Sequence, residues 1–303
     1  MNVPLKSPFP YFGGKSRVSS IVWDRFGDVA NYVEPFAGSL AVLLGRPTEP
    51  KIETVNDLDC LLANFWRSLQ NDPDAVADAA DRPVNEADQH AIHLWLVTRE
   101  EFRERMKTDI DYYDPLIAGR WVYGQCTWIG SGWCAAKLPH LGNAGRGVNR
   151  QLPHLGDAGG ETREYLLQYM NELAERLRRV RVCCGDWSRV TTPSVTFRHG
   201  TTGVFLDPPY ETGNLQYAAG GIGEGICKDV REWAIDNGNN KDMRIALCGY
   251  EGEYEMPESW DCFAWKAQSG YAATGGIAEE NSKRERIWFS PHCLSGKQMG
   301  LFS

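Results

Sequence analysis

Several absences bound this 303-residue sequence before any motif is read. No uninterrupted apolar run is long enough to span a bilayer, and the opening MNVPLKSPFPYFGGK lacks the apolar core of a secretory signal. No membrane partner is therefore expected. The nine cysteines are odd in number and follow no framework spacing, which argues for reduced thiols in a cytoplasm. Cys126, Cys134, His140 and His154 are spaced too widely for a zinc site, so no metal is expected. The dehydrogenase pattern G-x-G-x-x-G is missing, which speaks against a nicotinamide enzyme, and the glycines near the N-terminus lack P-loop spacing. A net charge of −8 has the wrong sign for a protein that coats nucleic acid non-specifically. It leaves room for a local basic face, since phosphate contacts act within a Debye length of about 8–10 Å. The last absence is local: between Pro115 and Gly156 there is no acid, in a chain with 40.

That acid-free stretch carries Arg120, Lys137, Arg146 and Arg150, interleaved with Trp121, Tyr123, Trp128 and Trp133. It holds a short repeat as well, Leu138 to Gly145 echoed by Leu152 to Gly159. Cations can hold phosphates, and flat rings can meet bases. The plainer reading is an aromatic mini-core with loops. The residues from Trp121 to Trp133 are expected to be partly core, and the loop around Arg146, Asn149 and Arg150 to face DNA. Upstream, residues 72–114 are acid-rich and mostly helical, with an amphipathic run from Ala87 to Met106.

The rest alternates strand and helix. Asn31 to Ser39 reads as a strand, a tight glycine turn and a helix at Leu40 to Leu44, the opening of a doubly wound nucleotide-binding fold. Roughly twenty residues after Gly38, a second strand ends at Asn56-Asp57. Asp57 can accept hydrogen bonds from ribose hydroxyls, or cap the helix Leu58 to Gln70. A helix at Glu164 to Arg179 precedes the strand Arg181 to Cys184, which ends in Gly185-Asp186-Trp187. There an acid and a ring could hold a purine, or serve as a cap and a core tryptophan. The buried strand Val204 to Leu206 then stops at Asp207-Pro208-Pro209-Tyr210. The glycine-rich segment Glu211 to Gly225 reads as a lid. A helix at Lys228 to Asn237 and strands at Arg244 to Cys248, Trp260 to Trp265 and Glu285 to Phe289 complete the pattern. The loop before the last strand offers Lys283 and Arg284 as further phosphate contacts.

The fold class expected is α/β, a Rossmann-like seven-stranded mostly parallel sheet with one antiparallel edge strand. Residues 1–70 and 164–303 would form the catalytic domain, and 71–163 an inserted, mostly helical recognition domain.

The turn after Leu206 suits an amino group on a flat ring. The lone pair of such a nitrogen is spread into the ring. A carboxylate from Asp207 and the Pro208 carbonyl can accept from its two N–H groups and draw it toward tetrahedral geometry. Prolines keep that carbonyl out of a sheet ladder, and Tyr210 offers a stacking face.

Four places together resemble the DNA adenine methylase (Dam) family: FGGK at Phe12 to Lys15, EPFAGS at Glu34 to Ser39, VND at Val55 to Asp57, and GDW with DPPY at Gly185 to Trp187 and Asp207 to Tyr210. The resemblance implies a class I methyltransferase that transfers a methyl group from S-adenosylmethionine to adenine N6 in double-stranded DNA, with no obligate protein partner. It implies that Tyr11 and Lys15 line the cofactor and active-site pocket. Glu34, Phe36 and Gly38 would hold the methionine end, Asp57 the ribose, and Asp186 with Trp187 the adenine of the cofactor. Asp207, Pro208 and Tyr210 would be catalytic. The family often has phenylalanine where this chain has Trp187. Related turns also serve RNA adenine and cytosine N4 methylation, and a non-catalytic DNA-binding relative would keep the same fold. A glutamine methylase would more naturally carry asparagine at position 207.

Overall fold

A computed structural model describes residues 5–11, 14–109, 111–128, 133–134, 162–209, 225–265 and 284–295. In chain order the elements are α1 (Ser19–Phe26), β1 (Asn31–Glu34), α2 (Ala41–Leu44), β2 (Ile52–Asp57), α3 (Cys60–Asn71), α4 (Pro73–Ala80), α5 (Glu86–Val97), α6 (Glu100–Thr108), α7 (Pro115–Thr127), α8 (Arg163–Leu177), β3 (Arg181–Cys184), β4 (Thr202–Leu206), α9 (Ile226–Gly238), β5 (Met243–Tyr250), β6 (Asp261–Ala264) and β7 (Glu285–Phe289).

The seven strands form one sheet in the order β3-β2-β1-β4-β5-β7-β6. β1 to β5 run parallel, and β7 is antiparallel to both neighbours. The central strands β1 and β4 are buried along their whole length, as strands covered on both faces must be. The antiparallel strand is not at the edge, contrary to the sequence expectation. β7 buries Ile287, Trp288 and Phe289, whereas β6 is mostly exposed. The more apolar strand therefore takes the interior slot, and the polar one takes the rim.

The helix starts are legible in their caps. Asp72, Asn85, Asp114 and Thr162 each accept a backbone N–H in the first turn of the helix that follows. Asp59 does the same for α3, so Asp57 is not the cap of that helix. The amphipathic run from Ala87 to Met106 divides into α5 and α6. Thr98 ends α5 by donating its hydroxyl back to the carbonyls of Leu94 and Trp95, closing the helix locally.

The helices of residues 73–127 share a continuous core with α3, α8 and the sheet, and Trp121, Tyr123 and Trp133 are buried in it. The expected aromatic core is therefore present. Below it lies a buried ion cluster. Glu53 of β2 meets Arg46 at 3.2 Å and Arg176 of α8 at 2.7 Å. The side chains of Arg46 and Glu53 are 0% and 2% exposed and that of Arg176 14%, so the cluster is largely withdrawn from solvent where it joins α8 to the sheet.

Candidate active site

In parallel strands a shared direction brings every strand end to one edge. Glu34 ends β1, Asp57 ends β2, Gly185 and Asp186 follow β3, and Asp207 follows β4, all at the carboxyl edge. Asn56 stitches the turns there. Its side-chain amide donates to the carbonyls of Pro35, at 3.0 Å, and Gly185, at 2.9 Å. Sequence reasoning passed over Asn56 as a mere neighbour of the acid, although an amide offers two donors where three turns meet.

The turn after β1 is tight. Gly38 has φ +47° and Leu40 has φ +55°, two left-handed residues in one short segment. The Gly38 N–H donates to Asp57 Oδ2 at 3.1 Å, and its carbonyl accepts from the Trp66 indole at 3.1 Å. A Cβ at Gly38 would lie 2.9 Å from the Tyr11 ring, so Tyr11 closes directly over this turn. Asp57 Oδ1 accepts from the Asp59 N–H at 2.9 Å. Burial lifts the Asp57 carboxyl from the usual 3.8 to about 6, against the backbone donors that favour its charge. Glu34 is buried, accepts from the Tyr32 hydroxyl at 2.9 Å, and is pushed well above the usual carboxylate range by burial.

Phe36 stacks on Trp187 at 6.2 Å between ring centroids, making an aromatic wall between the ends of β1 and β3. Asp186 is the cap of the short 3-10 helix Trp187–Val190, its Oδ1 accepting from the Ser188 N–H at 2.9 Å. The cap of the plainer sequence reading is present, whereas Trp187 is half-buried against the core rather than part of it.

Lys15 joins the N-terminal motif to the turn after β4. Its Nζ lies 3.0 Å from Asp207 Oδ2 and 3.6 Å from Glu285 Oε2, and 5.6 Å from the Trp265 ring centroid. Burial works to lower the Lys15 pKa, but Asp207, Cys248 and Glu285 outweigh it and raise the group above its ordinary value. The ammonium therefore stays charged. Glu285 was missed by sequence reasoning as a site residue because it starts its strand. β7 runs antiparallel, however, so its first residue sits opposite Tyr250, at the same edge as the other acids. Behind the turn, the Cys227 thiol donates to the Pro209 carbonyl at 2.7 Å, tying it to α9.

The structure thus brings together Tyr11, Lys15, Glu34, Phe36, Gly38, Asp57, Asp186, Trp187, Asp207 and Pro208 along one edge. Arg120 lies elsewhere, half-buried on α7 against Trp95. Tyr210, Lys137, Arg146, Asn149 and Arg150 lie outside the described residues, as do residues 211–224 and Lys283. Among the described residues, no group of three or more His, Cys, Asp or Glu could hold a metal, and no helix is long and apolar enough to cross a membrane.

A mostly parallel sheet with acids and a glycine turn on its carboxyl edge, and Asp-Pro-Pro after its central strand, is compatible with a class I α/β methyltransferase. Residues 11–126 match the family model of the D12 class N6 adenine-specific DNA methyltransferases. The matched segment holds the glycine turn, Asp57 and most of the helical region, while Asp207 lies beyond it. No curated protein matches the chain.

Proposed function

We propose that this protein is a site-specific DNA methyltransferase that takes a methyl group from S-adenosylmethionine and adds it to N6 of a flipped-out adenine. The observation that carries the reading is Asp207, held by Lys15 at 3.0 Å on the edge that carries the acids of β1 and β2, in a chain whose residues 11–126 match the N6-adenine family model. The residues present suit the cofactor. Asp57 supplies a carboxylate for a ribose diol, the Gly38 turn admits a close backbone approach, and Glu34 supplies an acid for the amino end. When bound, the cofactor supplies an electrophilic methyl on a sulfonium.

The chain's own residues do the rest. Asp207 and the Pro208 carbonyl accept from the adenine amino group and orient its nitrogen for attack, while Tyr210 stacks on the base. Extruding the base costs a few kcal/mol, and stacking offsets about 1–3 kcal/mol of that. Lys15 fixes the Asp207 carboxylate. Residues 71–163 are the DNA-recognition insert in this reading, with Lys137, Arg146, Asn149 and Arg150 facing the duplex. The test is single-molecule sequencing of plasmid from cells expressing the protein. N6-methyladenine at one short motif is expected. N4-methylcytosine, or no modification, overturns the proposal.

Two results should accompany it. Lys15→Met removes a charge-assisted bond worth about 1.5–3 kcal/mol, so kcat should fall about 10- to 100-fold. Cofactor affinity should change much less, and rapid-quench turnover set beside calorimetry checks the split.

The second concerns pH. An ionised Asp57 is the better acceptor for ribose hydroxyls, so cofactor affinity should fall as pH drops through about 6. The sign for stability is opposite. The folded-state pKa lies above the usual 3.8, so the fold binds more protons than the unfolded chain in that window. Asp57 therefore destabilises the fold as pH rises from about 4 to 6, and charged Asp57 is held at neutral pH at a cost that ribose donors relieve. Calorimetric titration between pH 5 and 8 should show the affinity loss in the wild type and not in Asp57→Asn.

A further inference from the structure

Away from the carboxyl edge, three arginines meet around one indole. Arg82 lies in the link between α4 and α5, Trp95 on α5, Arg99 in the link to α6, and Arg120 on α7. The guanidinium carbons of Arg99 and Arg120 lie 4.0 and 4.7 Å from the Trp95 ring centroid. Arg82, Trp95 and Arg120 line an open groove of about 240 Å³, with Asp88, Ala91 and Ile92.

Bringing these cations together has an electrostatic cost. Burial, then Arg82 and Arg99, hold Arg120 below the ordinary guanidinium value, and Asp114 acts only weakly in the other direction. Asp114 is itself engaged as the cap of α7. Asp88 pairs with Arg82 at 3.3 Å, which leaves Arg99 and Arg120 held by the ring rather than by a carboxylate among the described residues. The Nε atoms of Arg82 and Arg120 are buried without a hydrogen-bond partner among the described residues. Packing on an aromatic face fixes a guanidinium without using its donors, and a fixed fork matches the paired oxygens of a phosphate.

We propose that the surface around this groove is a phosphate site for the DNA backbone, with Arg120 of its lining and Arg99, which packs on Trp95 beside the lining, as its donors and Trp95 as the plate that holds them. It rests on the DNA reading given above, and adds to it a sequence-independent contact built by the described helices. Such a contact positions the duplex without reading it.

The test uses the full-length chain with Arg99→Gln, Arg120→Gln and the double variant, measuring affinity against salt on cognate and non-cognate duplexes. Each single variant should weaken both duplexes by the same factor, about three- to tenfold, and reduce the salt slope by about one unit, the double by about two. Lysine at either position should restore the slope, which separates lost charge from disturbed packing. Unchanged slopes in the double variant, with wild-type methylation intact, overturn the proposal and leave the methyltransferase reading standing. Inorganic phosphate is the second probe. Saturable heat with wild type that both variants lose, alongside unchanged DNA slopes, would assign the groove to free phosphate and overturn the backbone assignment. A wild-type protein that neither binds nor methylates DNA would overturn the underlying reading instead.

Discussion

Asp207→Ala is expected to bring methyl transfer on cognate DNA below detection, a loss of at least about 10²–10³-fold. In the proposed mechanism the carboxylate acts on the substrate amine rather than on the cofactor, so S-adenosylmethionine affinity is expected to stay close to wild type. The substitution also strips Lys15 of its nearer counter-charge and leaves Glu285 at 3.6 Å as the other carboxylate. Thermal unfolding must therefore be recorded beside turnover, so that a lost amine contact is not confused with a lost fold. Asp207→Asn is the informative companion. It keeps one acceptor oxygen and the side-chain shape but not the charge, and should retain more activity than alanine. Wild-type turnover in Asp207→Ala would remove this residue from the chemistry.

The largest effect on stability should come from Glu53→Ala. Glu53 is shared by Arg46 and Arg176 at 3.2 and 2.7 Å, and removing it leaves Arg46 with Asp28 at 3.8 Å and Arg176 without a carboxylate among the described residues. Breaking a buried pair from one side costs about 3–5 kcal/mol, because the remaining charge has no solvent to turn to. Carbonyls soften the loss. Arg46 donates to Val29 at 2.8 Å and Arg176 to Leu43 at 3.1 Å. Denaturant unfolding should show the midpoint shift without a change in slope. A cost below about 1 kcal/mol would mean that the cluster does not hold α8 to the sheet. Glu53 also helps to raise the Glu34 carboxyl, so turnover per folded molecule is recorded beside the unfolding curve.

Much of the edge was legible in the sequence because parallel strands are a local code. A buried apolar run followed by an acid or glycine marks a strand end, and a shared direction then gathers those ends without further information. That is why Glu34, Gly38, Asp57 and Asp207 could be found one at a time and still meet. The match over residues 11–126 supports the same family reading from the N-terminal side. What was illegible depended on pairings between distant segments. The position of β7 follows from which of two late strands has more apolar surface to bury, a comparison no local window makes. Glu285 was hidden for the same reason: an antiparallel strand offers its first residue where its neighbours offer their last. The cap of α3 lay two residues beyond the expected one, with Asp59 rather than Asp57 taking it. The grouping of Arg82, Arg99 and Arg120 around Trp95 depends on how α4, α5 and α7 pack, and their spacing along the chain carries no sign of it.

The placement of β7 also sets when the protein becomes whole during synthesis. Lys15 leaves the ribosome well before the strand that brings Glu285 beside it, which follows every other strand of the sheet in chain order. Until then β5 has a bare edge on the side that β7 will cover, with its backbone donors and acceptors open to other chains. A nonsense mutation or a stalled ribosome before residue 284 would thus yield an adhesive fragment rather than a weakened enzyme.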